Sequence, residues 1–460
     1  MIRIFNHYLH RRTLTQVMID LGLIVAVVLG IGLGPLGDSG GSVVPPLVAA
    51  LALAVGVFVI NSATGFYEHT HNRTLRQSLA RATVALAAGV PLAWLIFGLL
   101  PADVPGRDLM QLAAMGVVAG VFVQRVYFAH SRAQSLIRSR LLIYGAGRPA
   151  QQVAQTLAQA DPQVEIVGFV AGPNETEIVV SEHEILRSDR PLSQMASDLR
   201  VDEIVVALSE RRGGSMPLRQ LLDCKLGGVR VVDTAAHFEK SLAQIRLDHV
   251  HAGALIFGDG FNQGWLRTAC KRLFDLACAL VLLLLTLPVM AVTALAIRLE
   301  SRGPVFYRQQ RCGYNGQPFE VVKFRSMRCD AEGDGQPRWA RAGDDRVTRV
   351  GRLIRKLRID ELPQLVNVLR GEMSLVGPRP ERPYFVEQLT QQVPFYAVRH
   401  SMKPGVTGWA QVRYHYGESV DDAKRKLEFD LYYVKNHSLF LDIVIILETI
   451  AVVLTARGSR

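Results

Sequence analysis

Cysteine is scarce in this chain and forms no pattern. Cys224, Cys270, Cys278, Cys312 and Cys329 make an odd total of five, with no C-x-x-C pair among them. Neither a zinc site nor a disulfide framework follows. Acidic residues are also few: 41 Asp and Glu stand against 52 Lys and Arg, a net charge of +11. Only 20% of residues are charged while 49% are hydrophobic, and the mean hydropathy of +0.18 is high for a soluble protein. No motif that reads a nucleic-acid groove is present, so the basic excess does not point to DNA or RNA. No small-residue cleavage site follows the first apolar run, which is also too long for a signal-peptide core.

What the chain has in abundance is long apolar runs. Four precede residue 130, at about 14–32, 44–60, 82–100 and 109–128. Each is near the roughly 17–25 residues a membrane-spanning helix needs. Arg3, Arg11 and Arg12 precede the first run, and Arg73, Arg76 and Arg81 lie in the second link. Arg125, Arg132, Arg138 and Arg140 end the series, whereas the first link, 34–43, has no Lys or Arg. By the positive-inside rule both ends of this four-helix region face the cytoplasm, where thiols stay reduced.

A fifth apolar run, 276–297, carries no charge, but basic residues flank both ends and Pro288 lies in its middle. Proline removes a helix hydrogen bond and kinks the backbone. The run therefore reads as a helix that enters and leaves by one face, with Thr286 as a candidate partner for the freed carbonyls. From 298 to 358 there are 15 Lys/Arg against 7 Asp/Glu, which suits anionic lipid or phosphate. The apolar stretch 439–454 contains Asp442 and Glu448 and suits a helix lying on the membrane.

Between these membrane segments, strand patterns at 141–147, 164–170, 202–208 and 229–233 alternate with helical patterns at 149–159 and 218–226. This predicts a parallel sheet with helices on its faces, a Rossmann-like domain. Gly145, Gly147 and Ala150 fit the G-x-G-x-x-A dinucleotide fingerprint, so Gly145 and Gly147 are candidate cofactor-binding residues. The second strand, however, ends without the acid that binds ribose; Glu175 lies farther along. A domain used for packing, assembly or regulation is the favoured alternative.

The chemistry concentrates in RIDELPQLVNVLRGEMSLVGPRPERP, residues 358–383. The adjacent acids Asp360 and Glu361 stand at what reads as a helix start, with Arg355 before them and Arg379 after. Carboxylates beside guanidinium groups fit phosphoryl chemistry: a carboxylate attacks phosphorus or holds a metal, and arginines neutralise phosphate oxygens. Leu362, Leu365, Val366 and Leu369 recur at helical spacing as core, and Gly371 is a stop. Pro378 and Pro380 fix the backbone around Arg379. The polar stretch 330–345 reads as a loop over the substrate.

These residues lie among longer blocks: KRLFD at 271–275, GPVFYRQQRCGYNGQPFEVVKFRSM at 303–327, RKLRIDELPQLVNVLRGEMSLVGPRP at 355–380 and KPGVTGWAQV at 403–412. In that order they resemble the bacterial sugar transferase family, the polyprenyl-phosphate glycosyl-1-phosphate transferases, in its long form and nearest the EpsB-type exopolysaccharide enzymes. The resemblance implies Asp360 as nucleophile and Glu361 as its acid/base or metal-supporting neighbour. It also implies a re-entrant helix and a phosphate-binding role for Arg355, with Gln309, Arg311, Lys323 and Arg325 in the substrate site. Trp409 and Gln411 look like a substrate-facing loop, or Trp409 an interfacial anchor.

The chain thus reads as a four-helix transmembrane region (1–135), a Rossmann-like cytoplasmic domain (136–262) and a small α/β catalytic domain (263–460) with a re-entrant helix at 274–298. The expected activity is transfer of sugar-1-phosphate from a UDP-sugar to polyprenyl (undecaprenyl) phosphate at the cytoplasmic face of the bacterial inner membrane. UMP leaves and Mg²⁺ bridges the phosphates, with Asp360 and Glu361 as the candidate metal residues. A homo-oligomer is compatible with this. One rival, a membrane nucleotide-sugar dehydratase, needs a second intact Gly-rich site and a Tyr-x-x-x-Lys pair, neither of which follows residue 260. The other, a non-enzymatic export scaffold, would tolerate loss of the acid pair that is present.

Overall fold

The structure is a computed structural model. It describes residues 2–4, 7–9, 11–32, 44–64, 75–101, 104, 106–130, 139–160, 164–173, 175, 177–186, 189–208, 216–248, 260–261, 264–328, 346–414 and 419–454. The stretch 330–345, expected to cover the substrate, lies outside the described residues. The chain divides into two compact units, one holding residues 10–61 and 66–249, the other 2–9, 62–65 and 250–460.

In the first unit all four early apolar runs are helices: Arg11–Gly32, Val44–Ala63, Leu75–Gly98 and Arg107–His130. The first three, and Gly264–Glu300 later in the chain, are long and apolar enough to cross a membrane. All four early helices share one core, in which Ala50, Ala85, Ala93 and Ala114 are fully buried beside Phe97 and Phe122. Small side chains at the contacts let helices approach closely, the usual solution where lipid removes the hydrophobic drive to associate. The outward positions, such as Val48, Val55, Val84, Trp94 and Val123, are exposed and apolar.

The same unit contains the parallel sheet. Strands Ser139–Tyr144, Val164–Val170, Glu203–Val206 and Arg230–Asp233 lie in the order second, first, third, fourth. Side chains alternate between two cores, as the period of two requires. Leu142, Tyr144, Ile204 and Val206 pack with the helices Leu192–Asp198 and Leu218–Leu226. Leu141, Ile143 and Val205 pack with Arg148–Ala160 and Thr234–Leu242.

The second unit is built on the helix Gly264–Glu300, 37 residues and about 55 Å long at 1.5 Å per residue. The helix is assigned without interruption across Pro288. Thr286 donates to Leu282 O at 2.7 Å, and not to the carbonyl of Leu284 that Pro288 cannot serve. Its middle presents Leu280, Leu284, Leu285, Leu287 and Val292 outward. Both of its ends are fastened to the same unit. Near the start, Lys271 pairs with Asp442 at 2.8 Å, and Arg272 donates to Val368 O and Leu369 O at 2.7 and 3.0 Å. At the other end, Ile297 packs with Phe324 and Ile354, and Glu300 accepts from Arg349 N and Val350 N.

That last contact caps the basic helix Arg349–Lys356, whose N-cap Thr348 also accepts from Gly351 N. The following helix, Gln364–Arg370, stops at Gly371, which takes φ +86°. Its buried face is Gln364, Leu365, Asn367 and Val368 rather than a purely apolar stripe. Asn367, fully buried, donates to Glu320 O and the Glu372 carboxylate and accepts from Val322 N, so it ties this helix to the hairpin Phe306–Cys312/Pro318–Phe324.

The N-terminal hairpin, Ile2–Ile4 with His7–Leu9, also belongs to this unit. His7 is buried edge-on to Trp409, with Nδ1 2.8 Å from the Tyr432 hydroxyl. Burial, then the nearby Arg413 charge, pushes its pKa down to about 4, so it stays neutral.

Asn367→Leu, close in size, would leave Val322 N, Glu320 O and Glu372 short of a partner. A loss of about 2–4 kcal/mol is expected from the stranded groups. Thermal unfolding of the full chain in detergent checks this, and an unchanged unfolding temperature would contradict the anchoring role.

Candidate active site

Strand alternation gathers the first part of the site. In the hairpin Tyr307 pairs with Lys323, Gln309 with Val321 and Arg311 with Phe319, so Gln309, Arg311 and Lys323 share one face. The acid pair arrives from a different element. It does not open the α-helix; it sits on the short 3-10 turn Ile359–Glu361, before the helix begins at Gln364. Arg358 takes the left-handed conformation, φ +57°, where the basic helix ends and this turn starts. Such backbone is uncommon for a side-chain-bearing residue.

Cations, not a helix dipole, govern the pair. Glu361 is buried and accepts from Arg379 Nη2 at 2.7 Å and Lys323 Nζ at 3.3 Å, with Arg358 Nη1 at 3.8 Å. Burial alone would raise its pKa, but the Arg379, Lys323 and Arg358 charges outweigh that and hold it well below the ordinary carboxylate range. Asp360 goes the other way. Burial, then repulsion from Glu361, raises it from 3.8 to about 6 against the opposing charges of Lys323, Arg358 and Arg355. Its Oδ1 is buried without a hydrogen-bond partner. The pair thus divides its work: Glu361 is an ionised anchor, and Asp360 keeps an oxygen uncommitted.

Arg379 is held through its backbone. Pro378 and Pro380 have no N–H, and the run of carbonyls is satisfied residue by residue. Gly405 N donates to Pro378 O, Arg399 Nη2 to Arg379 O, Arg311 Nη1 to Pro380 O and Cys312 N to Glu381 O, all at 2.8–3.1 Å. Arg399 is itself buried, paired with Asp430 at 2.8 Å and donating to the Tyr396 hydroxyl. A small cavity adjoins the cluster, lined by Arg311, Lys323 and Arg379 together with Val321, Gln364, Pro380 and Gly405. It has three cations and no acid, a lining that favours a phosphate-bearing ligand.

The expected site residues separate into two groups. Asp360, Glu361, Arg379, Arg311 and Lys323 come together. Gln309 supports them by accepting from Arg311 Nε and Nη2, and Arg355 adds charge at Asp360 without a hydrogen bond to it. Arg325 is not brought to the cluster: it donates to Ser301 O and Arg302 O, fastening the hairpin to the end of the long helix. Trp409 is also elsewhere, 1% exposed between His7, Tyr432 and the Arg413 guanidinium. Gln411, on the short helix Trp409–Arg413, donates to Val406 O of the strand Gly405–Thr407. Sequence reasoning missed Asn367, Arg399, Arg272 and Asp275; polar residues inside apolar-periodic segments were the available signal.

In the sheet domain, Gly145 takes φ +132°, and a Cβ there would stand 2.4 Å from Ala207 O. The loop's amide is already occupied: Glu175 Oε2 accepts from Ala146 N at 2.7 Å and from Gly172 N at 3.0 Å. An internal carboxylate therefore takes the hydrogen bond that a fingerprint loop offers to a ligand's phosphate.

No cluster of three or more metal-ligating side chains converges among the described residues. Mg²⁺ is commonly held by one or two carboxylates, with substrate phosphates and water completing its shell. Asp360, with its orphaned oxygen, fits that role; Glu361, engaged by three cations, does not.

The bacterial sugar transferase family model matches residues 266–456, which include every residue of this site. A relative from Aeromonas hydrophila, named UDP-N-acetylgalactosamine-undecaprenyl-phosphate N-acetylgalactosaminephosphotransferase, is 42% identical over 57% of this chain and 61% of its own length. Several relatives are named UDP-glucose:undecaprenyl-phosphate glucose-1-phosphate transferase. The one from Caulobacter vibrioides is 46% identical over 41% of this chain and 71% of its own. The one from Xanthomonas campestris pv. campestris is 30% identical over 75% of this chain and 72% of its own. A further relative, from Komagataeibacter xylinus, is matched over only 36% of its length.

Removing the ionisable group at Asp360 separates stability from activity. A raised carboxyl pKa means the fold favours the neutral form; that contribution is present below about 4 and lost as pH rises through about 6. Asp360→Asn should therefore stabilise the fold above that window, by about 1–2 kcal/mol, while abolishing turnover. Wild-type kcat/KM should fall as pH drops through about 6. Thermal unfolding and pH-rate profiles check both, and a destabilised Asn variant would contradict the assignment.

Proposed function

The chain belongs to the bacterial sugar transferase family, and on that premise we propose that it transfers a sugar-1-phosphate from a UDP-sugar to polyprenyl phosphate through a covalent aspartyl intermediate. The observation that carries this reading is the uncommitted, buried oxygen of Asp360, next to Glu361, whose cation partners Lys323 and Arg379 line a small cavity. Arg379, Lys323 and Arg311 receive the diphosphate. Asp360 attacks the sugar-proximal phosphorus, the bond to UMP breaks, and UMP leaves with the electron pair. An oxygen of polyprenyl phosphate then attacks the same phosphorus and expels the Asp360 carboxylate, giving a polyprenyl diphosphate sugar. Asp360 ionises near pH 6, so it is an anion at neutral pH and needs no proton acceptor. Mg²⁺ bound with Asp360 would neutralise charge on the diphosphate. UDP-N-acetylgalactosamine and UDP-glucose, the donors in the relatives' names, are the first to test.

The long helix fits a re-entrant membrane segment at the cytoplasmic face. Both ends of the helix pack on one unit while its middle is exposed and apolar, which supports placing the two ends on one side of a bilayer. A site built against it would sit at headgroup depth, where a lipid phosphate emerges. The sheet domain, with Glu175 on its glycine loop, is assigned to packing or regulation rather than to redox chemistry.

Mass spectrometry of wild-type enzyme incubated with UDP-sugar alone should find a phosphosugar on Asp360, and the Asn variant should show none. An adduct on another residue, or turnover by the Asn variant, would exclude covalent attack by Asp360. For the membrane segment, single cysteines at Trp265 and Arg302 should be labelled from the same side; labelling from opposite sides would make the helix a span.

A further inference from the structure

Two residues of the long helix, far from the acids in sequence, hold both halves of the site. Glu361 and Arg379 meet at 2.7 Å across an 18-residue loop of chain. The loop runs through the helix Gln364–Arg370, the turn at Gly371 and the strand Ser374–Val376. Arg272 grips the end of that helix, donating Nη1 to Val368 O at 2.7 Å and Nη2 to Leu369 O at 3.0 Å. Asp275 grips the start of the strand, accepting from Ser374 Oγ at 2.8 Å and from Leu375 N at 3.3 Å. The two side chains are three residues apart and share one face of one helical turn. Gly371 leaves them room: a Cβ there would stand 3.3 Å from Arg272 Nη2.

We infer that Arg272 and Asp275 are positioning residues that fix the spacing between the Asp360-Glu361 turn and Arg379. The inference rests on the transferase reading, whose geometry they set. The path from each hook to the site is stiff. From Arg272 it is a seven-residue helix that begins three residues after Glu361. From Asp275 it is a strand leading into the segment whose carbonyls at 378 to 381 are all held. Neither hook touches the acids, so each acts through the backbone. Because both sit on a helix that is exposed and apolar beyond them, the spacing is tied to how that helix is seated.

The test uses the full chain in lipid nanodiscs and the UDP-sugar that wild type turns over, following UMP release. Asp275→Asn should lower kcat by about tenfold or more, since misplacement on the ångström scale can cost about a hundredfold. KM for the UDP-sugar should stay near the wild-type value. The same substitution in an Arg379→Lys background should cost much less, because Arg379 has already lost its fork; a merely structural contribution would cost the same in both. Arg272→Gln should behave as Asp275→Asn does. If Asp275→Asn does not fold, Ser374→Ala, which removes a single hydrogen bond to the hook, carries the same comparison. Equal losses in the two backgrounds, or unchanged kcat, would overturn the inference alone. Wild type that releases no UMP from any UDP-sugar would overturn the transferase reading and this inference with it.

Discussion

One buried carboxylate organises the site. Glu361 is 8% exposed, and an ion so far from water costs several kcal/mol unless it is paired. Its partners come from separate parts of the chain: Lys323 from the hairpin, Arg358 from the end of the basic helix, Arg379 from between two prolines. None of these elements can move away without stranding a charge. A buried ion cluster of this kind adds little net stability, but it is intolerant of wrong geometry, and that intolerance fixes the register of the elements around Asp360. The unequal titration of the two acids follows. The neighbour that takes the cations ionises first, and burial, reinforced by that neighbour's charge, delays the other.

The cation-lined side of the cavity is arranged by the opposite device, the removal of donors. Prolines on both sides of Arg379 leave a run of acceptors, and each finds a donor from a different element. Backbone fixed in this way pre-sets a guanidinium before any ligand arrives, so little reorganisation is needed when charge shifts during reaction. Arg311 serves twice, as a cavity-lining cation and as a clamp on Pro380 O.

Much of this was legible in the sequence. The apolar runs became helices, and the strand pattern became a parallel sheet, because period and length alone distinguish those elements. Asp360, Glu361 and Arg379 were visible as a local cluster of charge. What stayed hidden depended on long-range pairing. Nothing local marks Asn367 as a hydrogen-bond hub joining a helix to a hairpin more than forty residues earlier. Nothing in KRLFD says that its arginine caps a helix near residue 370. Arg325 and Trp409 show the converse: an arginine among aromatics and a tryptophan in a glycine-rich loop look ready for a ligand, but both are spent on the fold. Glu175, outside the fingerprint spacing, hydrogen-bonds the amides of Ala146 and Gly172 in the loop itself, a pairing that no local pattern announces.

The seat of His7 bears on how the protein is made. Its hydrogen-bond partner, Tyr432, lies 425 residues later. Ribosomes add about 5–20 residues per second, so the N-terminal hairpin is synthesised on the order of 20–85 seconds before the surface it packs on exists. The hairpin can therefore dock only after the segment around Tyr432 has been made.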